Sequence, residues 1–215
     1  KMRYLILFAH SYLQFRLPEL NSLLELNHLK PEDCYSAEDY REESPFLPIT
    51  LPSDDVAQAI ASRAVLIKGI YEYWLCCPSV ERLQEELSTI PEECTKRYNN
   101  TLVTWKMCVE SFGKVIPATE QMALCESIGK KLALPGPIRM KNPSLLIVLL
   151  FDYGHIGETL RSVYMGRFVA TGQRTINRDF DLKKRKYIGP TSTCAELAFL
   201  MSNQVLSRPG AVMWD

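Results

Sequence analysis

The chain has 215 residues, of which 47% are hydrophobic and 23% charged, with 25 basic and 25 acidic side chains. These are ordinary globular values, enough for one large domain or two small ones, and a formal charge of zero gives the chain as a whole no case for nucleic acid. The longest apolar run, residues 145–151, is seven residues long against the roughly 20 that a membrane-spanning helix needs, so no span is expected.

Residues 4–9 read as a short strand. Leu17-Pro18-Glu19-Leu20 opens a helix, with proline at an early position and Leu20, Leu23 and Leu24 at helical spacing. Residues 28–41 are polar and weakly patterned, a loop or an edge strand. Residues 46–51 form the next strand. Ser53, followed by Asp54 and Asp55, caps a helix that runs to about Ser62, and residues 64–70 form a further strand. The β-α-β-β-α-β order, with 28–41 as its edge strand, is the split βαβ, ferredoxin-like pattern.

Residues 74–78 look like a joint. Ser79 caps another helix, to about Thr89, and residues 91–100 form a loop. Residues 101–112 alternate with strand character around Trp105, and residues 119–132 carry a helical pattern. Leu134-Pro135-Gly136-Pro137 breaks the chain. Residues 145–153 and 162–171 are two strands, paired antiparallel and joined by a loop holding Gly154 and Gly157. This is a second α+β block, so the fold class expected is α+β. Residues 176–192 read as a basic linker. An amphipathic segment, 194–205, follows, and then the apolar run Ala211-Val212-Met213-Trp214 closed by Asp215.

Charge is unevenly placed. Residues 1–80 carry 7 basic and 11 acidic side chains, whereas residues 139–189 carry 10 and 4. Any polyanion is therefore expected on the second half. Arg174, Arg178, Lys183, Lys184, Arg185 and Lys186 fall within thirteen positions, interleaved with Phe180 and Tyr187. Cations that neutralise phosphates release counterions, and aromatic rings stack on unpaired bases. The alternative is a solvated linker. Gly166-Arg167 and Gly172-Gln173-Arg174 set arginines beside glycines, where a backbone can approach a phosphate and a guanidinium can grip it. The alternative there is a strand end and turn with surface arginines. No GxxxxGK[ST] or GxGxxG occurs.

Thr191-Ser192 reads as an N-cap pair for the 194–205 helix, whose amides suit an anion such as a cofactor carboxylate. A plain cap is the alternative. Asp215 stands where doubly wound folds place cofactor contacts. A basic lead-in, a helix and a short strand ending in an acid is how a nucleotide-binding domain often begins, so the chain is expected to be the front half of an enzyme. Glu85-Glu86 and Glu92-Glu93 are adjacent acids that point apart, and no nucleophile–base constellation is present. The seven cysteines show no CxxC spacing and read as reduced thiols, and the three histidines are too scattered for a metal site.

The string Gly166-Arg167-Phe168-Val169-Ala170-Thr171-Gly172-Gln173-Arg174, and then Leu182-Lys183-Lys184-Arg185-Lys186-Tyr187-Ile188-Gly189-Pro190-Thr191-Ser192, resembles the eukaryotic catalytic subunit of tRNA (guanine-N2-)-methyltransferase, the THUMP-containing family that modifies guanosine 10. Phe15-Arg16-Leu17-Pro18-Glu19-Leu20, Ser44-Pro45-Phe46, Pro52-Ser53-Asp54-Asp55-Val56-Ala57 and Asp152-Tyr153-Gly154 are similar to the same family. The resemblance implies an N-terminal ferredoxin-like domain over residues 1–77 and a THUMP domain over 78–175. A basic linker over 176–192 and the start of a truncated Rossmann-type methyltransferase domain over 193–215 would follow.

It also implies S-adenosylmethionine as cofactor, with Thr191 and Ser192 near it and Asp215 as the first residue of its motif. Thr193 and Cys194 depart from the Met and acid usual in the family. No catalytic residue is carried over, so the chain alone is expected to be inactive. The partners implied are tRNA, with contacts expected from Arg167, Arg174, Lys183, Lys184, Arg185, Lys186 and Tyr187, and a small zinc-binding activator protein docked on the catalytic domain beyond Asp215. A cytoplasmic location is expected. A stand-alone RNA-binding or scaffold protein without catalysis is the competing reading.

Overall fold

The computed structural model describes residues 2–212, so Asp215 lies outside the described residues. In chain order the elements are β1 (Met2–Phe8), α1 (Arg16–Leu26), β2 (Phe46–Leu51), α2 (Asp54–Ala61), β3 (Ile67–Cys77), α3 (Val80–Glu86), α4 (Glu92–Thr95), β4 (Trp105–Phe112), α5 (Ala118–Leu132), β5 (Leu145–Asp152), β6 (Ser162–Thr171), α6 (Ile176–Asp179) and α7 (Ala195–Gln204). The strands follow the order β2-β1-β3-β6-β5-β4 in one mixed sheet. β1 pairs antiparallel with β2, and β5 antiparallel with β6, while β4 and β5 are parallel. The chain divides into two compact units. One joins the chain up to Ile70 with the chain from Val169 onward, and the other is Tyr71–Phe168.

In the first unit, Tyr4, Ile6 and Phe8 of β1 and Leu47, Ile49 and Leu51 of β2 meet Leu20, Leu23 and Leu24 of α1 and Ala57, Ile60 and Ala61 of α2 in one core. The period of two along the strands and the three- and four-residue spacing on the helices turn those residues to a common side. α2 starts where its cap dictates: the Ser53 hydroxyl oxygen accepts the Val56 amide at 3.4 Å, and Asp54 and Asp55 sit in the first turn. The Tyr4 hydroxyl donates to Asp54 Oδ1 at 2.9 Å, tying that turn to β1. Arg16 is fully buried. Its guanidinium donates to the Ala9 carbonyl at 2.7 and 3.0 Å and to that of Glu42 at 3.1 Å, which meets the rule that a buried cation must be bonded.

Residues 28–41 form short 3-10 turns, at Pro31–Asp33 and Ala37–Asp39, and no edge strand. Pro31 has no N–H for a ladder, and the Ser36 hydroxyl oxygen accepts the Glu38 amide at 3.3 Å, a local bond that competes with sheet pairing. The order up to Cys77 is therefore β-α-β-α-β.

In the second unit, Ile147, Leu149 and Phe151 of β5 pack with Val163 and Met165 of β6, Trp105 and Met107 of β4, Leu83 of α3 and Ile128 of α5. Seven of the eight β5 residues are buried, because this strand lies between two others and is covered on both faces. The expected joint at residues 74–78 is instead the end of β3: Trp74, Leu75 and Cys77 belong to the core. The strand stops at Pro78, which has no ladder donor. Ser79 then starts α3, its hydroxyl oxygen accepting the Arg82 amide at 3.2 Å.

α7, expected to open a further unit, packs on the first one. Leu200 is buried with Val65 and Leu66, and Leu197, Phe199, Tyr12 and Ile176 pack around them.

Candidate nucleic-acid interface

The site begins where β6 ends. Gly166 and Gly172 are required by the neighbouring strand and not by an anion. A Cβ on Gly166 would stand 2.2 Å from the Glu72 carbonyl oxygen, and one on Gly172 would stand 1.8 Å from that of Ile67. Both distances are far inside van der Waals contact, so only glycine lets β6 run this close to β3.

Arg167 and Arg174, which frame that strand end, both engage protein partners. Arg167 is largely buried and its Nε donates to Glu72 Oε2 at 2.8 Å. Glu72, with its side chain only 4% exposed, also pairs with Arg97. Arg174 Nη1 donates to the Val65 carbonyl at 3.2 Å and lies 3.7 Å from Glu196 Oε1. The one local sign of this cluster in the sequence is Glu72 itself. It is an acid in the middle of an apolar strand run, and a buried carboxylate demands a cation or several donors.

The run 183–186 is different. Lys183, Lys184, Arg185, Lys186 and Tyr187 are all exposed, Tyr187 to 80%. Their backbone is nevertheless shaped: Leu182–Lys184 is a 3-10 turn, the Lys183 amide donates to Asp181 Oδ1 at 2.9 Å, and the Lys184 amide donates to the Asp181 carbonyl at 2.9 Å. Arg185 Nη2 reaches the Thr193 carbonyl at 3.5 Å. Four successive cations and an aromatic ring thus stand in solvent on a turn, an arrangement that can neutralise phosphates and offer one stacking face.

Thr191 and Ser192 do not cap α7. The N-cap residue is Cys194, in extended conformation and without a side-chain cap bond. Thr191 and Ser192 belong to a preceding turn, closed by the Ser192 amide on the Gly189 carbonyl at 3.2 Å. Thr193 and Cys194 extend the backbone after them, so the helix starts later than the Thr-Ser pair suggests. Thr191 is exposed and Ser192 half-buried. Among the described residues no cluster of His, Cys, Asp and Glu could hold a metal ion, and no helix is long and apolar enough to cross a membrane.

The described residues define a mixed α/β module of two units, with a basic segment displayed after its sixth strand. A family model described as the Tmrp11 THUMP N-terminal domain matches residues 2–174. The chain belongs to that family. It is 33% identical, over 99% of its length, to a Bos taurus protein named tRNA (guanine(10)-N(2))-methyltransferase TRMT11, and covers 46% of it. It is 29% identical to the Saccharomyces cerevisiae protein named tRNA (guanine(10)-N(2))-methyltransferase, over 99% of the chain and 49% of the relative. The chain thus spans about half the length of the curated relatives it matches. Among solved structures, PH1313 from Pyrococcus horikoshii Ot3 shares the fold with a TM-score of 0.50 at 11% identity, over 80% of this chain and 56% of that one.

Proposed function

We propose that this chain is the tRNA-recognition portion of an S-adenosylmethionine-dependent tRNA guanosine N2-methyltransferase acting at guanosine 10. The observation that carries the reading is the family match over residues 2–174, with relatives of that name aligned along 99% of the chain. The exposed cations at 183–186, a short distance beyond the matched region, support it. In this reading those cations grip the phosphate backbone and Tyr187 stacks on an unpaired base. Phosphate contacts fix where the RNA lies and leave the choice of base to a catalytic pocket. A base in a helix must leave its stack to reach such a pocket, so the binding module acts as a ruler that selects the base. Arg174 braces the base of that segment through the Val65 carbonyl and Glu196.

We assign the chain up to Ile70 to a ferredoxin-like N-terminal domain, Tyr71–Phe168 to the body of the THUMP domain, residues 176–192 to a basic linker and residues 193–215 to the start of the methyltransferase domain. The methyltransferase domain is the remainder of the protein at its relatives' length. S-adenosylmethionine belongs to that domain, where Asp215 opens its motif. Its chemistry is the supply of the methyl group, and this chain's part is to hold and orient the tRNA. The small zinc-binding activator docks on the catalytic domain, and the protein acts in the cytoplasm.

The test is binding of an unmodified tRNA transcript over a series of salt concentrations. The logarithm of affinity falls linearly with the logarithm of salt, and Lys184→Ala/Arg185→Ala reduces the slope by about 1.4, at about 0.7 per phosphate contact on single strands. Affinity and slope both unchanged in that variant would remove the segment from the interface. The 215-residue chain transfers no methyl group on its own, and turnover by it would overturn the division of labour proposed here.

A further inference from the structure

The basic segment is closed at its base by side chains that lie away from its tip. Arg174 Nη1 is 3.5 Å from Ser11 Oγ and 3.7 Å from Glu196 Oε1, and Ser11 Oγ donates to that same glutamate oxygen at 3.2 Å. The residue that enters the segment and the residue that leaves it are thereby fastened to one another and to the loop after β1. Above this clamp, Ile176 packs with Leu197 and Phe199 against Val65 and Leu66, and the Phe180 ring meets that of Phe199 edge-on at 5.3 Å.

α7 is itself pinned. Asn203 Nδ2 donates to Glu19 Oε1 at 2.9 Å and to the Arg63 carbonyl at 3.0 Å, and Arg63 Nη1 donates to the Ser207 carbonyl at 2.8 Å. What remains outside these anchors is residues 181–193, with the four cations and Tyr187. A loop with joined ends has far fewer conformations than a linker with one free end. Ordering such side chains on binding costs about 0.5–1.5 kcal/mol each, and a loop held beforehand avoids part of that cost.

We infer that Glu196 and Ser11 are positioning residues for RNA binding. Through Arg174 and α7 they hold residues 181–193 as a closed loop on the first unit, so the affinity for an RNA phosphate backbone depends on side chains that touch no RNA. The inference rests on the reading of the chain as a tRNA-binding module. Its test therefore has one readout without RNA and one with it.

Backbone hydrogen exchange of the 215-residue chain is compared with that of Ser11→Ala/Glu196→Ala. Exchange is expected to quicken across residues 182–193 and to stay slow in β1 and β5. The same variant, titrated with the tRNA transcript, is expected to lose about tenfold in affinity, the equivalent of one or two side chains that must now be ordered on binding. Its salt slope is retained, because the cations that meet phosphate are unchanged. Lys184→Ala/Arg185→Ala gives the opposite pattern, a lower slope with unchanged exchange.

Unchanged exchange in residues 182–193, or a salt slope that falls along with the affinity, overturns the inference. Faster exchange with undiminished tRNA affinity also overturns it, and leaves the tRNA reading standing if the lysine–arginine variant still lowers the slope. Should the alanine pair release α7 altogether, Glu196→Gln keeps a side chain of the same size on α7 while removing the charge that faces Arg174, and must still quicken the loop. If it does not, the clamp has no role.

Discussion

Each unit buries one glutamate, and the two are satisfied in different ways. Glu19, on α1 in the first unit, is fully buried and held by neutral donors: the Val65 amide at 2.9 Å, the Leu66 amide at 2.8 Å and the Asn203 side-chain amide at 2.9 Å. Glu72, on β3 in the second unit, is held by two cations, Arg167 and Arg97. Neutral donors solvate a carboxylate without cancelling its charge, so burial still pushes the Glu19 carboxyl up from its ordinary value, against the lowering effect of those three bonds. At Glu72 the carboxylate faces two guanidinium groups, so opposite charge offsets its burial.

The largest effect expected from breaking the contrast is Glu72→Ala. It takes away the carboxylate paired with Arg167, whose side chain is 12% exposed, and breaking a pair this buried costs about 3–5 kcal/mol. Urea denaturation of the chain measures it. A loss below about 1 kcal/mol would mean that Arg167 finds water or another acid.

Removing a donor from Glu19 is a milder insult. Asn203→Ala takes one of three bonds from a buried carboxylate that keeps two backbone amides, at about 1–3 kcal/mol. The pH response is more specific. Because the folded pKa of Glu19 is raised, the folded state binds more protons than the unfolded state between about 4.5 and that raised value. The contribution of Glu19 to stability therefore falls as pH rises through this window and is restored as pH falls through it. Melting temperatures of the parent and Glu19→Gln, taken side by side from pH 8 down to pH 4.5, should show their difference moving in favour of the parent on acidification. A difference that stays level over that range would show that the buried carboxyl is not shifted.

Thiol chemistry offers a smaller readout on the second unit. Burial, with Glu110 nearby, pushes the Cys108 thiol up to about 11. Because the thiolate is the nucleophile, Cys108 should stay unalkylated by iodoacetamide at pH 8 while the chain is folded. Peptide mapping after a timed quench reads this directly, and rapid labelling of Cys108 would place it in a wetter site.

How far these features could be read in advance follows from whether their causes are local. β2 at residues 46–51, the Ser53 cap and the helix over 119–132 were readable because alternation, capping chemistry and helical spacing act within a few residues. The antiparallel pair β5 and β6 was readable because a long buried run returns through a glycine loop. The end of β3 was not, since a strand covered on both faces loses the period of two by which strands are recognised. The start of α7 at Ala195 was missed because Thr191 and Ser192 are good caps wherever they stand, and only the turn at Gly189 takes them off the helix. The exposure of residues 183–187 was readable from charge density, since four consecutive cations cannot all be buried or paired. The protein partners of Arg167 and Arg174 were not: Glu72 is 95 positions from Arg167, and no local pattern announces such a partner.

The sharpest form of the comparison lies within the Glu72 cluster, where two arginines share one carboxylate from opposite situations. Arg97 has its side chain 40% exposed and Arg167 only 12%. Water screens the first and hardly reaches the second, so the same chemical pair should differ in worth by several-fold. Arg97→Ala leaves Glu72 with Arg167 and removes a contact in high dielectric, and is expected to cost about 0–1 kcal/mol. It should also be the more salt-sensitive of the two: raising the salt to about 1 M, where the screening length is about 3 Å, should shrink the Arg97 effect and leave that of Arg167→Ala in place. Equal costs for the two variants would mean that Glu72 needs both cations to be buried at all. That outcome would make the cluster a single unit, and the distinction between a structural and a surface arginine would fail at the place where it is drawn most finely.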